Sequence, residues 1–441
     1  MSQALMLHGE SKGLGKHTRS HCKVGLNFQR KEALCTDSQF CKGTVIIMKT
    51  SVAVFYGAAS VEHEISVISA VQAMHAFDKE KYELVPVYIT KDRRMFTGDA
   101  LFEMDSYQDM EGMLAGCRQV LISSQNGVGM LYDHNGGLRR RKEAGRFDVA
   151  FPIVHGTNGE DGSIQGLFEM LGVPYVGCDV ISSALGMDKV RFKHILSAAG
   201  LPHLPCVSFT ARQWAEEPAA VRERIAQQVG YPLIVKPANL GSSVGISKVG
   251  SAEELDEALS LAASFAETLL CERAIGKLRE INCSVLGDRD EAEASVCEEP
   301  FMEDEILSYT DKYMSGGSSK GAKGMSSLKR KLPADLPVEK AEEIRSTSIR
   351  VFEALGCAGV ARIDYLLDGE NDDRVYVNEI NTIPGSLAFY LWEATGVPYK
   401  ELLDRLVGLA LRRARRRGNL MFTYDTNILS MGGFGAKGCK K

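Results

Sequence analysis

The stretch 361–386, ARIDYLLDGENDDRVYVNEINTIPGS, constrains the fold more than any other part of the chain. Its two runs are rich in β-branched and aromatic residues and the GENDD between them is turn chemistry, so the pattern predicts an antiparallel hairpin followed by a Pro-Gly corner. A hairpin symmetric about Asn371 and Asp372 sets Asp364 opposite Glu379 and Arg362 opposite Asn381. Alternation along a strand then gathers all four side chains on one face. Two facing carboxylates repel unless a proton or a cation lies between them. Oxygen ligands on rigid strands suit Mg²⁺, which takes one or two carboxylates and completes its shell with water and phosphate oxygens. On these residues alone, a solvated face with two salt bridges is the more economical reading.

Other stretches decide between the two. With 441 residues, 44% of them hydrophobic and 25% charged, the composition is that of a soluble protein long enough for two or three domains. No run reaches the ~18 to 20 apolar residues of a membrane span. The net charge is −5, and residues 1–47 hold seven Lys/Arg against three Asp/Glu, so the remainder carries −9 and is a poor partner for nucleic acid. Eleven cysteines are scattered without a C-x-x-C pair or a His cluster, which argues against zinc and a disulfide framework and for a reducing cytoplasm. Cys178, Cys206, Cys271, Cys283 and Cys357 sit in apolar runs and read as small core residues. Residues 1–47 have no sustained period, apolar h-region or cleavage site, and read as an unstructured leader ahead of a start at Met48. Within them ESKGLGKHT lacks the first glycine and the final Ser/Thr of a phosphate loop.

From Ser51 the pattern becomes α/β. SVAVFYG and YELVPVYI are buried-type strands, and Ile65, Ile68, Val71 and Met74 between them have helical spacing. Glu62 stands at the start of that helix and beyond the end of a strand, where open α/β sheets bind ligands; capping the helix is an equal alternative. Residues 97–146 are polar and irregular and predict peripheral hairpins or an insertion. DVAFPIVHG runs into HGTNGEDGSIQG, whose glycines and His155 describe a tight ligand-facing turn before a helix, with packing alone the weaker alternative. KPANLGSSVGISKV, between two strands, offers either backbone N–H groups of the kind that cradle phosphate, with Lys236 at their base, or a plain hairpin. TLLCERAI is an edge strand ending at Glu272. Residues 303–334 are rich in Gly, Ser and Lys and read as a mobile lid or a disordered loop. RRARRR reads as a solvated helix end.

HGTNGEDGSIQG, YPLIVKPANLGSSVGISKV, the pair Lys312-Tyr313, and GVARIDY followed by VYVNEINTIPGSL closely resemble the D-alanine–D-alanine ligases of the ATP-grasp superfamily, in order and near-family spacing from Ser51 to Arg417. The resemblance implies an α/β and α+β chain. A Rossmann-like N-terminal domain (48–177, with 97–146 as its insertion) precedes a two-domain ATP-grasp fold. Its central domain is 178–272 and its C-terminal domain 273–418, with the lid 303–334 and a tail from 419. The implied chemistry is phosphorylation of one D-alanine carboxylate by ATP and attack on the acyl phosphate by the amine of a second D-alanine. The setting implied is a cytoplasmic homodimer making peptidoglycan precursors, with no nucleic-acid or membrane partner.

Carried over position by position, Lys189, Lys236, Glu272, Arg273, Ala274, Ile275 and Glu280 resemble nucleotide ligands. Ser242, Ser243 and Gly245 resemble the loop over the phosphates, and Lys312 the contact to the transferring phosphoryl group. Asp364, Glu379 and Asn381 resemble the binders of two Mg²⁺ or Mn²⁺ ions. Glu62, linked to Ser242 and Tyr313, resembles the residue that orients the ammonium of the first D-alanine, with His155 beside it. Arg362 and the N–H of Gly385 resemble the oxyanion stabilisers, and Ser386 with Leu387 the contact to the second D-alanine. There are three departures. Glu272 and Glu280 stand one residue further apart than is usual, Arg273 replaces a common Lys, and the run after Gly385 is shorter than in the best-known members. A ligase whose acceptor is D-serine or D-lactate shares most of these motifs, although Tyr313 resembles the residue of amine-accepting members. A non-catalytic nucleotide-binding relative would lack a metal ligand or the oxyanion Arg, and none is missing.

Overall fold

The computed structural model describes residues 49–135, 142–241, 244–300 and 330–422. In chain order the strands and α-helices are β1 (Thr50–Gly57), α1 (His63–Ala76), β2 (Tyr82–Ile89), β3 (Met95–Thr97), α2 (Met110–Gly116), β4 (Arg118–Gln125), β5 (Val128–Asp133), β6 (Glu143–Phe147), β7 (Val149–Ile153), α3 (Ser163–Leu171), α4 (Val180–Met187), α5 (Lys189–Ala198), β8 (Cys206–Thr210), α6 (Ala211–Glu216), α7 (Pro218–Gln228), β9 (Leu233–Pro237), β10 (Ser247–Val249), α8 (Leu255–Ala263), β11 (Thr268–Arg273), β12 (Leu278–Gly287), β13 (Ala292–Pro300), β14 (Arg330–Lys331), α9 (Val338–Leu355), β15 (Gly359–Asp368), β16 (Arg374–Asn381), α10 (Phe389–Thr395) and α11 (Tyr399–Gly418). All of these lie in one compact unit, Ile46–Lys441.

Three sheets organise the unit. The first runs β6-β5-β4-β3-β2-β1-β7, with β1 parallel to both β2 and β7. Residues Val52 to Tyr56 of β1 are wholly inaccessible, which is why this strand reads as a continuous apolar run instead of an alternating one. The hairpin strands from residues 97–146 are the antiparallel outer edge of this sheet. A second, antiparallel sheet has the order β10-β9-β11-β8, and a third has the order β14-β13-β12-β15-β16.

The third sheet is two-faced because its side chains alternate. On one face Ile281, Cys283, Ile363 and Tyr365 pack beneath Ile344, Val351, Phe352 and Leu355 of α9. On the other, the pairings Glu298↔Asn282, Asn282↔Asp364 and Asp364↔Glu379 lay one polar row across four strands. The C-terminal helix α11 returns to the first sheet, burying Leu402, Leu403, Leu406 and Val407 in the core that holds Val52, Val54 and Phe151. Its RRARRR end is tied down and not simply solvated. Arg413 stacks 4.2 Å over the Tyr175 ring and donates to the carbonyls of Gly177 and Tyr175, and Arg416 lies 2.7 Å from Asp290. A planar guanidinium can stack and donate at once, which a charge run read as surface does not reveal.

Cys178, Cys271, Cys283 and Cys357 are buried and free, as core cysteines; Cys206 is half-buried. Among the described residues no helix is long and apolar enough to cross a membrane.

Candidate active site

In the β15–β16 hairpin, Arg362 faces Asn381 and Asp364 faces Glu379. The turn itself is centred half a residue away from the symmetric expectation, which shifts each partner by one: Asp368 pairs with Arg374 and Tyr365 with Val377. A β-bulge absorbs the difference, leaving Asn378 as the extra residue. Had the ladder run on unbroken from this turn, Glu379 would point into the core beneath α9. On the polar face Arg362 grips Asp364 with both arms, Nε to Oδ1 and Nη2 to Oδ2, each at 2.7 Å. Asn381 Nδ2 donates to Asp364 Oδ2 at 2.9 Å. Burial opposes the Arg362 charge, but the Asp364 carboxylate outweighs it and holds the guanidinium above its ordinary value.

Helix α5 and strand β9 bring lysines to this face. Asp188 caps α5 by accepting from the N–H groups of Val190 and Arg191, which sets Lys189 at its first position. Lys189 Nζ lies 3.2 Å from Glu379 Oε2 and donates to the Leu240 carbonyl at 2.8 Å. Lys236, on β9, pairs with Glu272 and lies 3.3 Å from Asn378 Oδ1. Glu272 is also 2.9 Å from Lys193 Nζ. Burial pushes the Glu272 carboxyl up, yet the two ammonium groups prevail and hold it at about 2. Next along β11, Arg273 pairs with Asp368, and Ala274 N–H donates to the Pro232 carbonyl; Ile275 and Glu280 are half-buried nearby in sequence.

The turn after β7 and helix α1 meet the hairpin from the other side. Glu62 precedes α1 but its side chain makes no capping bond. Its carboxylate lies instead against the glycines of two loops: a Cβ at Gly156 would come within 2.6 Å of Oε2, and one at Gly241 within 3.3 Å. His155 is buried, with Nδ1 2.8 Å from the Ile383 carbonyl and Nε2 2.9 Å from Ser69 Oγ. A carbonyl only accepts, so Nδ1 carries the proton and Nε2 accepts from Ser69, which in turn accepts from Ser386 N–H at 2.9 Å. This is a neutral imidazole with both nitrogens satisfied, and burial lowers its tendency to charge. Ser386 Oγ donates to Gln72 at 2.8 Å. Ser386, Leu387 and Ala388 form a left-handed turn with φ of 51°, 55° and 51°, a conformation costing about 1–2 kcal/mol per residue. The bonds to Ser69 and Gln72 over-determine it, as held strain requires. The Leu387 side chain packs in the core with Ile383 and Trp392, which leaves only its backbone for a substrate.

Two family models match the chain: D-ala D-ala ligase N-terminus over residues 51–178 and D-ala D-ala ligase C-terminus over residues 195–408. The chain belongs to the D-alanine–D-alanine ligase family. A D-alanine–D-alanine ligase of Thermoanaerobacter sp. (strain X514) is 43% identical over 371 residues, covering 82% of this chain and 97% of the relative. That of Geobacillus thermodenitrificans is 38% identical over 386 residues, covering 86% and 100%. Among solved structures, the D-alanine–D-alanine ligase of Coxiella burnetii has a TM-score of 0.69 at 30% identity, covering 84% of this chain and 96% of its own. A D-Ala:D-Ser ligase of Enterococcus faecalis has a TM-score of 0.66 at 31% identity, covering 82% and 100%.

The expected site residues of this ligase-family chain therefore converge from segments far apart in sequence: Glu62 and His155, then Lys189 and Lys236, then the hairpin. Ser242, Ser243, Lys312, Tyr313 and most of the stretch 303–334, expected to be a lid or a disordered loop, lie outside the described residues, as does Met48. Gly245 is described; its φ is +72°, and a Cβ there would strike Phe265 at 2.8 Å. The sequence reading missed a polar stripe on α1. Ser66, Ser69 and Gln72 follow Glu62 at helical spacing, and Ser66 and Ser69 are wholly buried, more so than the Ile68 counted as core. Lys193, Asn282, Asn378 and Glu298 were missed as well. Lys193 alone left a signal, one turn after Lys189.

Glu160 is a further omission. Its carboxylate accepts from Gly156 N–H and Ile383 N–H, both at 2.9 Å, and so joins the glycine turn to the corner after β16. Burial, and then the Glu62 carboxylate, push its proton affinity up to about 8 from the ordinary 4.5, against the pull of the two N–H groups. A carboxyl raised in the fold stabilises it fully below the unfolded value, and that contribution is lost as pH rises through the folded one. Glu160→Gln removes this titration, so between about pH 7 and about pH 9 its melting temperature falls less than that of the wild type. Parallel declines in the two proteins would show that Glu160 does not titrate in that window.

Proposed function

We propose that the chain is an ATP-dependent ligase that joins two D-alanines through an acyl phosphate, supplying D-alanyl-D-alanine for peptidoglycan precursors. The observation that carries the reading is the single hairpin face on which Arg362, Asp364, Glu379 and Asn381 meet Lys189 and Lys236, with Glu62 turned into the glycine loops opposite. Transfer of a phosphoryl group between two anions needs charge neutralisation and alignment more than a strong base.

The donor set fits divalent cations. Among the described residues no group of three or more His, Cys, Asp and Glu is arranged to hold a metal ion by itself, but two carboxylates and an amide on neighbouring strands are what a hard ion sharing phosphate oxygens requires. Asp364, Glu379 and Asn381 would hold two Mg²⁺ or Mn²⁺, which when bound supply positive charge against the phosphate oxygens. Lys189, Lys236 and the Gly245 loop, with Ser242 and Ser243, hold the phosphates of ATP. Glu272, Arg273, Ala274, Ile275 and Glu280 surround its base and ribose, and Lys312 lies on the transferring group. Glu62 accepts from the ammonium of the first D-alanine, in company with Ser242 and Tyr313. Arg362 and the N–H of Gly385 stabilise the oxyanion formed when the second amine attacks. Ser386 and the Leu387 backbone are set against that second substrate, and His155 fixes them through Ser69. The domains run 48–177, 178–272 and 273–418; the first boundary coincides with the end of the N-terminal family match at 178. The family likeness supports a cytoplasmic homodimer.

Mass analysis of products formed from Mg-ATP with D-alanine, D-serine and D-lactate in competition tests the reading. D-alanyl-D-alanine is expected to dominate, with phosphate released in step. A chain that releases no phosphate with D-alanine is no such ligase, and dominance of D-alanyl-D-serine would move it to the acceptor class of the Enterococcus faecalis structure.

A further inference from the structure

Behind the nucleotide face lie three charges shut away from water. Lys193, Lys236 and Glu272 have side chains 2%, 4% and 3% exposed, so two ammonium groups share one carboxylate and a net positive charge is buried. The two lysines differ in reach. Lys236 looks both ways, pairing with Glu272 and approaching Asn378 beside Glu379. Lys193, on the face of α5 that carries Lys189 one turn earlier, pairs with Glu272 at 2.9 Å. A cation buried in excess of its counter-ions favours the arrival of an anion, and a carboxylate stripped of its last buried partner is costly.

We propose that Lys193 is a positioning residue for the nucleotide, holding Glu272 in place so that Lys236 can leave that carboxylate for a phosphate group. This rests on the nucleotide part of the ligase reading. With Lys193 present, departure of Lys236 exchanges a two-cation arrangement for an intact Lys193–Glu272 pair. Without it, Lys236 is the one cation paired with Glu272 among the described residues, and drawing it towards phosphate strands the carboxylate. Nucleotide binding then works against a closed one-to-one ion pair. The base subsite also uses Glu272, but it needs no movement of Lys236 and so loses less.

Calorimetric titration of the full chain with Mg-ADP and with adenosine tests this. Lys193→Met is expected to weaken ADP about tenfold or more while changing adenosine by less than about threefold. Lys193→Arg, which keeps the charge, stays within about threefold of wild type for ADP; it also serves if Lys193→Met does not fold. In a Glu272→Gln background no carboxylate holds Lys236, so adding Lys193→Met changes ADP affinity by less than about threefold. ADP affinity in Lys193→Met equal to wild type overturns the inference, as does a loss of the same size in the Glu272→Gln background or in Lys193→Arg. A wild type that binds ADP but makes no dipeptide overturns the ligase reading and leaves this one standing.

Discussion

Glu379→Gln is expected to lower turnover at least about a thousandfold while leaving the protein folded, because it removes one of the two facing carboxylates of the Asp364–Glu379 pair. The substitution keeps the shape of the side chain. It loses the ion pair with Lys189 Nζ at 3.2 Å but also the repulsion between Glu379 and Asp364 on facing strands. These two changes oppose each other, and the Glu379 side chain is 25% exposed, so the net effect on stability is small. The melting temperature should stay within about 4 °C of wild type, the equivalent of roughly 1 kcal/mol or less. Product formation from Mg-ATP and D-alanine, measured beside the melt, separates chemistry from folding. Turnover near the wild-type rate would remove Glu379 from the metal set and leave the face as a pair of salt bridges.

Arg362→Lys should lose about 10²- to 10³-fold in turnover number, the usual consequence of removing one preset donor from a developing oxyanion. Lysine keeps the charge but not the planar fork that meets both oxygens of Asp364 at 2.7 Å. The loss could also arise indirectly, if a loosened Asp364 no longer held its ion. The Mg²⁺ dependence distinguishes the two routes: an oxyanion role leaves half-saturation by Mg²⁺ unchanged, whereas an indirect role moves it upwards. Arg362→Met should lose more, and should melt lower as well, because Asp364 would lose both of its bonds from the guanidinium. An Arg362→Lys protein with turnover within about threefold of wild type would exclude the oxyanion role.

How much of this was legible beforehand depended on the range of the forces involved. The hairpin could be read because alternation and turn chemistry act over a few residues, and Gly156 and Gly162 announced a tight turn through the positive φ that they adopt. The register at Asp364 and Glu379 came out as expected, but through a bulge at Asn378 that nothing in RVYVNEIN marks. Glu62 had two equal readings as a bare residue. Its place between two glycine loops was decided only when β7 and the loop after β9 were folded against it, as its approach to Gly156 and Gly241 shows.

The sequence by itself determined the elements, the glycine turns and the kind of chemistry that acidic, basic and amide side chains at those spacings can perform, since these follow from local conformation and side-chain type. Only the tertiary structure decided who neighbours whom. The Glu298–Asn282–Asp364–Glu379 row exists through strand order, and the sharing of Glu272 by Lys193 and Lys236 through the packing of α5 on β9 and β11. The hydrogen bond from Ser386 to Ser69 joins residues 317 positions apart at 2.9 Å. Hydrogen bonds and buried ion pairs act at about 3 Å, and which distant residues come within that distance is set by how the three sheets and α1 close on one another.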